Sequence, residues 1–361
     1  MNSKLETKSL ILHPEIEAYV ANIRGSRPES GDAESLLSCA QVSEEIAQGA
    51  RRILETGETL EKVTDHQFVI KRADAAERLA FFVISGLANW KCFQERRELK
   101  DSLVCNEQPY GDMAIDRAQG SLIVPPGDWN LLKDAVAEAK DCFETNLNTA
   151  INPGKETMRT ASLKRPLWDS DVFKFGCHPA ILKIVSDYLG MYPILLRINL
   201  LLSLNDRLQE KSSQFPHLDP EDFQQVKIFL YINDVDEDTG PFQVLRADAS
   251  DRVQAKYDYR FGRLTDQQVF DVAGKDDLIM CLGPSGTSNF ADTSRGFHFG
   301  SRPSSKQRKL VMYQYVTPFA ASWAISDREI TAKYKEAAKQ QEAQSGMPLS
   351  RRDAYLLAVN R

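Results

Sequence analysis

Cysteine is scarce in this sequence and never occurs at the close spacing of a metal cluster or a redox motif. Six cysteines are scattered over 361 residues, and none forms a Cys-x-x-Cys pair. A zinc cluster or a disulfide framework needs closely grouped cysteines, so neither is expected here. We predict reduced, mostly buried thiols at Cys39, Cys92, Cys105, Cys142, Cys177 and Cys281.

Long apolar segments and a strong excess of one charge are also missing. No apolar run approaches the roughly 18 residues that a membrane-spanning helix needs, and the first twenty residues contain no long apolar segment typical of a secretory signal. The 45 Lys and Arg residues against 51 Asp and Glu give a net charge of −6. This mild acidity disfavours a broad surface for nucleic acid or anionic membranes. The sequence therefore predicts a cytoplasmic protein that binds neither.

The hydrophobic periodicity divides the chain into three parts. Residues 1–115 show helical patterns and predict a helical N-terminal extension. From Pro193 onward, short β-rich runs separated by Gly, Asp, Asn and Pro predict the strands of a sandwich or barrel. No glycine-rich phosphate loop occurs, which disfavours a nucleotide-binding fold. We expect a mainly β core flanked by helices in residues 116–320 and a charged helical tail in residues 321–361.

Two helices are predicted between the N-terminal extension and the strands. The first follows Pro125–Gly127, with Asp128 as its N-cap and an apolar stripe formed by Leu132, Val136, Ala139 and Phe143. The second ends at Gly190, a residue type common just after a helix.

Histidine is the other scarce residue type, with five in the chain. Two of them, His217 and His298, lie in the β-rich half. Residues i and i+2 of an extended strand project to the same face, so His217 and Asp219 can reach one point inside a barrel. His298 would complete the two-histidine, one-carboxylate ligand set of non-haem Fe(II) oxygenases. For the His-x-Asp pattern alone, a surface histidine beside a turn aspartate remains the alternative.

Arg308 follows His298 by ten residues, at the start of a predicted strand. Its guanidinium can hold a carboxylate by a two-pronged hydrogen bond that lysine cannot match. Three protein ligands leave three positions on an octahedral iron, enough for bidentate 2-oxoglutarate and O2. Arg308 is therefore predicted to hold the 2-oxoglutarate, with Arg302 and Lys309 as competitors for this role.

Five segments in the expected order resemble the phytanoyl-CoA dioxygenase-like family of Fe(II)/2-oxoglutarate-dependent oxygenases. They run from about Gly120 to Pro318 and include His217-Leu218-Asp219, QVKIFLYINDVDEDTGPFQVL and DTSRGFHFGSRPSSKQRK. The resemblance implies a double-stranded β-helix, the jelly-roll or cupin-like barrel, with helices packed against one sheet.

The resemblance also implies residue roles and cofactors. His217, Asp219 and His298 match the family's iron ligands and catalytic centre, Arg308 matches its 2-oxoglutarate clamp, and Ser301 lies where a second hydroxyl contact to 2-oxoglutarate is often found. The implied activity is that of a dioxygenase: Fe(II), O2 and 2-oxoglutarate, which becomes succinate and CO2, oxidise a C–H bond, most simply by hydroxylation.

Two departures from the family pattern affect the loops. A Pro-Gly-Ser-His segment is replaced by Arg246-Ala247-Asp248-Ala249, which predicts a different substrate pocket. Gly286-Thr287 and Asp292-Thr293 predict a reshaped strand and turn before His298. Neither departure touches the predicted ligands, and the carboxylate of Asp219 argues against the related halogenases.

Two other functions remain open. One is a catalytically inactive barrel that acts as a binding or scaffold protein, and the other is a metal dioxygenase that does not use 2-oxoglutarate. The substrate is predicted to be a small molecule, because no long basic groove indicates a polymer. The terminal helices are predicted either to cap the barrel mouth or to form a homodimer.

Several further residues have no role that the sequence decides. Arg197 and Asn199 alternate with apolar residues and face either the barrel interior or solvent. The face of QVKIFLYI that carries Lys227, Phe229 and Tyr231 is either core or pocket. The remaining residues of interest are predicted to be non-ligands or packing residues, namely His13, His66, His178, Trp129 and Trp168.

Overall fold

The computed structural model describes the central part of the chain. The described residues are 96, 98–101, 103, 110, 113–148, 158–165, 167–204, 212–222, 224–259, 262–317 and 320. The predicted C-terminal tail and most of the predicted N-terminal extension lie outside these residues, as do His13, His66, Cys39, Cys92, Cys105 and the side chain of Trp168. The homodimer and the cap over the barrel mouth therefore stay predictions.

The first predicted helix is present but begins differently. Strand β1 (Ser121–Val124) leads into helix α1 (Asn130–Thr145), which buries Leu132, Ala135, Ala139, Cys142 and Phe143. The N-cap prediction for Asp128 was wrong, since the cap position is Trp129 and no side chain caps the helix. Asp128 instead pairs with Lys133.

Helices α2 (Asp171–Gly176) and α3 (Pro179–Leu189) follow strand β2 (Met158–Ala161). The side chain of His178 caps α3 by accepting a hydrogen bond from the Ala180 amide at 3.3 Å, so this histidine has a structural role. Helix α3 ends at Gly190 as predicted, in the left-handed conformation (φ 77°) that glycine adopts without strain.

The remaining strands confirm the predicted mainly β core from Pro193 onward, and the structure shows that they pair in antiparallel fashion. They are β3 (Ile194–Ser203), β4 (Val226–Tyr231), β5 (Gln243–Leu245), β6 (Leu278–Met280), β7 (Ser288–Ala291), β8 (His298–Phe299) and β9 (Arg308–Val316). In the described part of the chain they form a six-stranded sheet in the order β1-β7-β4-β9-β3-β2 and a three-stranded sheet in the order β6-β5-β8.

The strands of the large sheet alternate between two apolar environments. Ile228 and Leu230 on β4 pack with Val311 on β9 against α1, α2 and α3. Phe229 and Leu310 face the other way, into an inner cluster that also contains Val244 from the small sheet. Since residues of both sheets share this inner cluster, the space between the sheets is the interior of the β core.

The segment Arg246-Ala247-Asp248-Ala249 leads into a helix, and its predicted difference from the resembled family stays a prediction. Helix α4 (Ala247–Tyr257) begins here, and Arg246 makes a two-pronged ion pair with Asp248 at 2.8 and 3.1 Å. A second helix, α5 (Asp266–Phe270), follows before β6. Neither helix is predicted from the sequence.

Three cysteines lie among the described residues, and all are free thiols, as predicted. Cys142 and Cys281 are buried and Cys177 is partly buried. None of the described helices is long and apolar enough to cross a membrane. The β core with flanking helices is thus confirmed, and the double-stranded β-helix remains a prediction.

Candidate metal centre

Main-chain hydrogen bonds bring the predicted ligands together from distant parts of the sequence. His217 and His298 form an antiparallel bridge in which each backbone amide donates to the other's carbonyl, at 3.2 and 3.0 Å. The Asp219 amide donates to the Thr293 carbonyl at 2.8 Å. Main-chain hydrogen bonds alone therefore position all three residues, independently of their side-chain contacts.

The three side chains converge on one point. One potential ligand atom from each of His217, Asp219 and His298 lies within 4.8 Å of the other two. The Nε2 atom of His217 is 3.8 Å from Asp219 Oδ1, and the Nε2 atom of His298 is 3.3 Å from Asp219 Oδ2. Both imidazoles are buried. This geometry matches a facial triad, and the role of the residues as iron ligands stays a prediction.

Backbone carbonyls define which ring nitrogen of each histidine carries the proton. The Nδ1 atom of His217 lies 2.9 Å from the Phe215 carbonyl, and that of His298 lies 3.1 Å from the Gly296 carbonyl. A carbonyl oxygen can only accept a hydrogen bond, so each Nδ1 is the donor. In the neutral rings, Nε2 then keeps its lone pair, and both Nε2 atoms face Asp219.

The centre contains one buried ion pair. The Lys227 ammonium donates to Asp219 Oδ2 at 2.7 Å. Burial alone would raise the pKa of the Asp219 carboxyl, but Lys227 and His298 hold it well below its usual range. Burial opposes the charged form of Lys227, yet Asp219 and Glu221 raise its pKa above the ordinary value. Both groups are therefore charged at neutral pH.

The donor set suits a divalent metal ion. Burial, assisted by the neighbouring His298, lowers the pKa of His217 to about 3, so this ring is neutral at pH 7. Its Nε2 lone pair and the carboxylate oxygen of Asp219 are then two acceptors that face each other without a proton between them. A cation bound by both atoms satisfies them, and two imidazoles with one carboxylate are the ligands of non-haem iron.

Arg308 and Ser301 contact each other at the start of β9, on the face of the large sheet that carries the inner cluster (the inner face). The Nη2 atom of Arg308 donates to Ser301 Oγ at 2.8 Å, and Ser301 Oγ lies 2.6 Å from Ser203 Oγ. Arg308 is 4% exposed, and its Nε and Nη1 atoms have no hydrogen-bond partner among the described residues. A buried guanidinium with two such donors is suited to bind a carboxylate.

The backbone approaches Arg308 closely at Gly300. A β-carbon at Gly300 would lie 3.2 Å from Arg308 Nη2 and 3.3 Å from the Phe242 α-carbon, so a side chain here would crowd the guanidinium. The next residue, Ser301, has a φ of 55°, which costs energy for a residue other than glycine. Its amide donates to Gly240 at 3.2 Å, which helps to hold this strained conformation.

Arg302 and Lys309, the alternatives to Arg308 for holding 2-oxoglutarate, contact other residues. Arg302 makes a two-pronged ion pair with Asp266, at 2.6 and 2.9 Å, and its guanidinium lies 3.7 Å above the Phe299 ring. The Lys309 side chain lies on the opposite face of β9, 6.0 Å from the ring centre of Phe143. Neither residue is placed to replace Arg308.

The strand residues that the sequence left undecided lie on the inner face. Lys227 lies on β4, opposite Gln314 on β9, which in turn pairs with Arg197 on β3. Phe229 stacks on Phe242 with ring centres 4.3 Å apart, and Phe242 lies 5.6 Å from the His298 ring. Asn199 and Tyr231 lie on this same face, opposite Met312 and Leu310 of β9.

Some contributors were not identified from the sequence. Ser203 and Gly300 surround Arg308, but a serine at a strand end and a glycine in a loop are too common to attract notice. Lys227 was noted without its role. The informative feature was a lysine within an otherwise apolar strand, because lysine is almost never buried without a partner. Trp129 is a packing residue, with ring centres 5.5 Å from Phe175 and 4.5 Å from His178.

No protein-family model and no curated protein sequence matches the chain. Similar solved structures include the epimerase SnoN with Fe³⁺, α-ketoglutarate and nogalamycin RO, at 15% identity, a TM-score of 0.40, and coverage of 55% of this chain and 80% of SnoN. HygX from Streptomyces hygroscopicus with nickel, 2-oxoglutarate and hygromycin B has 18% identity, a TM-score of 0.39, and coverage of 55% and 83%.

EctD from S. alaskensis, in its apoform, is a third similar structure, at 13% identity, a TM-score of 0.39, and coverage of 63% of this chain and 89% of EctD. These identities and TM-scores are too low to assign a function to this chain. The phytanoyl-CoA dioxygenase-like subfamily therefore remains a prediction.

Proposed function

We propose that this protein is a non-haem Fe(II)/2-oxoglutarate-dependent dioxygenase that hydroxylates a C–H bond of a small molecule. The supporting observation is the convergence of His217, Asp219 and His298, with both Nε2 atoms facing the carboxylate and both Nδ1 atoms hydrogen-bonded to backbone carbonyls. Bound Fe(II) would supply the activation of O2, and the balanced reaction converts 2-oxoglutarate, O2 and R–H into succinate, CO2 and R–OH.

The chain's own residues would divide the work between two ends of the inner face. His217, Asp219 and His298 would hold the metal, and the carbonyls of Phe215 and Gly296 would keep both imidazoles in the ligating tautomer. Arg308 and Ser301 would bind the distal carboxylate of 2-oxoglutarate, because the free guanidinium donors lie beside the serine hydroxyl. Phe229 and Phe242 would line the space between these ends and exclude water.

The proposed substrate is a small molecule. It would bind at the polar end of the inner face of the large sheet, next to the predicted metal ligands. Arg197, Gln314 and Lys227 form one cross-strand row next to Asp219. The jelly-roll arrangement of the two sheets is proposed along with the function.

Anaerobic titration of the protein with Fe(II) and 2-oxoglutarate tests this proposal. A weak visible charge-transfer absorption of the iron chelate is expected in the parent and absent in His217→Ala. Arg308→Ala should keep the absorption but need about 10- to 100-fold more 2-oxoglutarate, because a charge-assisted hydrogen-bond pair is lost. His178→Asn, which retains a helix cap, and Arg252→Ala, an exposed arginine on α4, are matched controls.

The outcome also separates the alternative functions. Metal binding without any effect of 2-oxoglutarate would favour a dioxygenase that does not use this cosubstrate. If the parent protein gives no chelate absorption and binds neither Fe(II) nor 2-oxoglutarate, the inactive barrel with a binding role becomes the better description.

A further inference from the structure

Lys227 is the buried cation closest to the predicted metal ligands among the described residues. Its ammonium lies 2.7 Å from Asp219 Oδ2, and both side chains are nearly enclosed, at 11% and 12% exposure. Lys227 is in the middle of the large sheet, since β4 pairs with β7 on one side and β9 on the other. Its position is therefore set by the sheet and not by a mobile loop.

Without a metal ion, the Asp219 carboxylate needs another positive charge. Its two histidine neighbours present unprotonated Nε2 atoms when neutral, and these cannot donate a hydrogen bond to it. A buried carboxylate with no counter-ion is strongly destabilising. The ion pair with Lys227 supplies the missing charge.

With a metal ion, the same carboxylate has two cationic partners. A metal held by His217, Asp219 and His298 would share Asp219 with the ammonium that contacts it, so the two cations would repel each other in a poorly solvated site. Each cation also reduces the stabilisation that the other gains from Asp219, because either one alone neutralises this carboxylate.

We propose that Lys227 is a positioning residue that acts as the resident counter-ion of Asp219, and that Lys227 and the bound metal oppose each other at this carboxylate. The inference rests on the proposed function in that the triad must bind a divalent metal. Lys227 keeps the metal-free site assembled and lowers its metal affinity, so that the site is stable both empty and loaded.

This inference predicts the sign of a coupling. Replacing Lys227 with an uncharged side chain should destabilise the metal-free protein and tighten metal binding, since the two effects are thermodynamically linked. Couplings of this kind are typically about 5- to 150-fold in affinity. A residue that merely orients a metal ligand has the opposite effect, because its loss usually weakens metal binding about 10- to 100-fold.

The experiment compares the parent with Lys227→Met, which removes the charge at similar length, and Lys227→Arg, which keeps it. Lys309→Met is the matched control, a lysine on the outer face of the same sheet. Chelator-treated protein is titrated with Mn(II) by calorimetry, and thermal unfolding is followed without metal and with saturating Mn(II). We expect Lys227→Met to bind Mn(II) at least five-fold more tightly and to lose melting temperature mainly in the metal-free state.

A second comparison in the metal-free protein does not depend on metal binding. Asp219→Asn removes the carboxylate charge, so adding Lys227→Met to Asp219→Asn should cost much less stability than Lys227→Met costs in the parent. This double variant also provides a folded comparison if the single Lys227→Met variant is too unstable without metal.

The results distinguish a failure of the counter-ion role of Lys227 from a failure of the proposed function. If the parent binds Mn(II) but Lys227→Met binds it equally or more weakly, or loses the same melting temperature in both states, the counter-ion role is wrong and the proposed function is untouched. An equal cost of Lys227→Met in the Asp219→Asn background would also overturn it. If the parent itself binds no Mn(II), the proposed function and this inference fail together.

Discussion

At the scale of single residues, Asp292 is a buried carboxyl next to the residue whose carbonyl holds the Asp219 backbone. It accepts hydrogen bonds from the Tyr188 hydroxyl at 2.8 Å and the Ser294 amide at 3.1 Å. It precedes Thr293, whose carbonyl holds the Asp219 amide. Burial raises the pKa of Asp292 to about 6, although the Arg295 guanidinium acts in the opposite direction.

This raised pKa predicts a pH-dependent cost in stability. Between pH 4 and pH 6 the folded protein binds a proton at Asp292 that the unfolded chain has released, so stability from this group falls as pH rises and levels off above the folded pKa. Asp292→Asn removes the cost, since the side-chain amide cannot ionise, and its oxygen can still accept from the Ser294 amide while its nitrogen donates to the Tyr188 hydroxyl. We measure the free energy of unfolding of both proteins in urea. As the pH rises from 4 to 7, the difference between variant and parent should increase by about 2–3 kcal/mol in favour of the variant.

Asp276→Asn, which changes an exposed carboxylate in a short 3-10 helix (Lys275–Asp277), is the control for the Asp292 prediction. Taking the difference between variant and parent at each pH removes the contributions of other groups, including the opposite trend expected from Asp219. A difference that stays constant from pH 4 to pH 7 would show that Asp292 is ionised normally in the folded protein.

Some residues of the centre could be predicted from the sequence and others could not. His217 and Asp219 were identifiable because two-residue spacing places them on one face, and the scarcity of histidine left few candidates for the third ligand. Strand alternation separates two faces but does not say which one lines a site, so Lys227 stayed undecided. Asp292 has no local pattern at all, because its partner Tyr188 is 104 residues away.

At the scale of elements, helix α2 is seated on strand β9 through one glycine and two tyrosines. The Tyr313 hydroxyl donates to the Val172 carbonyl at 2.8 Å, and the Tyr315 hydroxyl donates to the Gly176 carbonyl at 2.7 Å. A β-carbon at Gly176 would lie 2.6 Å from the Tyr313 ring. The helix can approach the sheet this closely because Gly176 has no side chain.

Gly176→Ala should therefore destabilise the protein, although alanine is the better helix former. We expect a loss of about 1–3 kcal/mol in urea unfolding, because the methyl group must displace the Tyr313 ring within a packed core. Gly274→Ala is the matched control, since its β-carbon would meet no atom closer than 3.7 Å. Equal effects of the two substitutions would mean that α2 has room to shift away from β9.

The elements found from the sequence are those with a long, clear period. Strands β3, β4 and β9 have 10, 6 and 9 residues, and the apolar stripe of α1 spans about three turns, so their patterns exceed chance. Strand β8 has two residues and exists through its pairing with β5, which no local pattern encodes. Helix α4 was missed for a different reason, since its sequence was compared with a loop of the resembled family.

At the scale of the whole molecule, the β core makes contacts beyond the predicted start of the domain at residue 116. The buried Arg96 guanidinium donates to the carbonyls of Tyr192 and Pro193, at 3.2 and 2.7 Å, where the chain enters β3. Leu103 and Tyr110 are buried in the same apolar core as α1. Part of the predicted N-terminal extension thus contributes directly to the core.

A shortened chain gives a test of how independent residues 116–320 are. We expect a chain that begins at residue 116 to be less stable than one that begins at residue 90, since each buried Leu or Tyr side chain contributes about 1.5–3 kcal/mol and the Arg96 hydrogen bonds are lost. Thermal unfolding of the two chains, both continued to residue 361, measures the difference. Equal melting temperatures would show that residues 116–320 need no support from the extension.

The main-chain bridge between His217 and His298 has a consequence for how the protein folds. It joins residues that are about eighty positions apart, so it forms only after most of the β core has closed. Contacts of such long range form slowly, because the chain must lose the entropy of closing a long loop before the contacts stabilise it. A nascent or partly folded chain therefore offers a metal ion at most the His217 and Asp219 pair. Tight metal binding would then report that this loop has closed and the native topology has been reached.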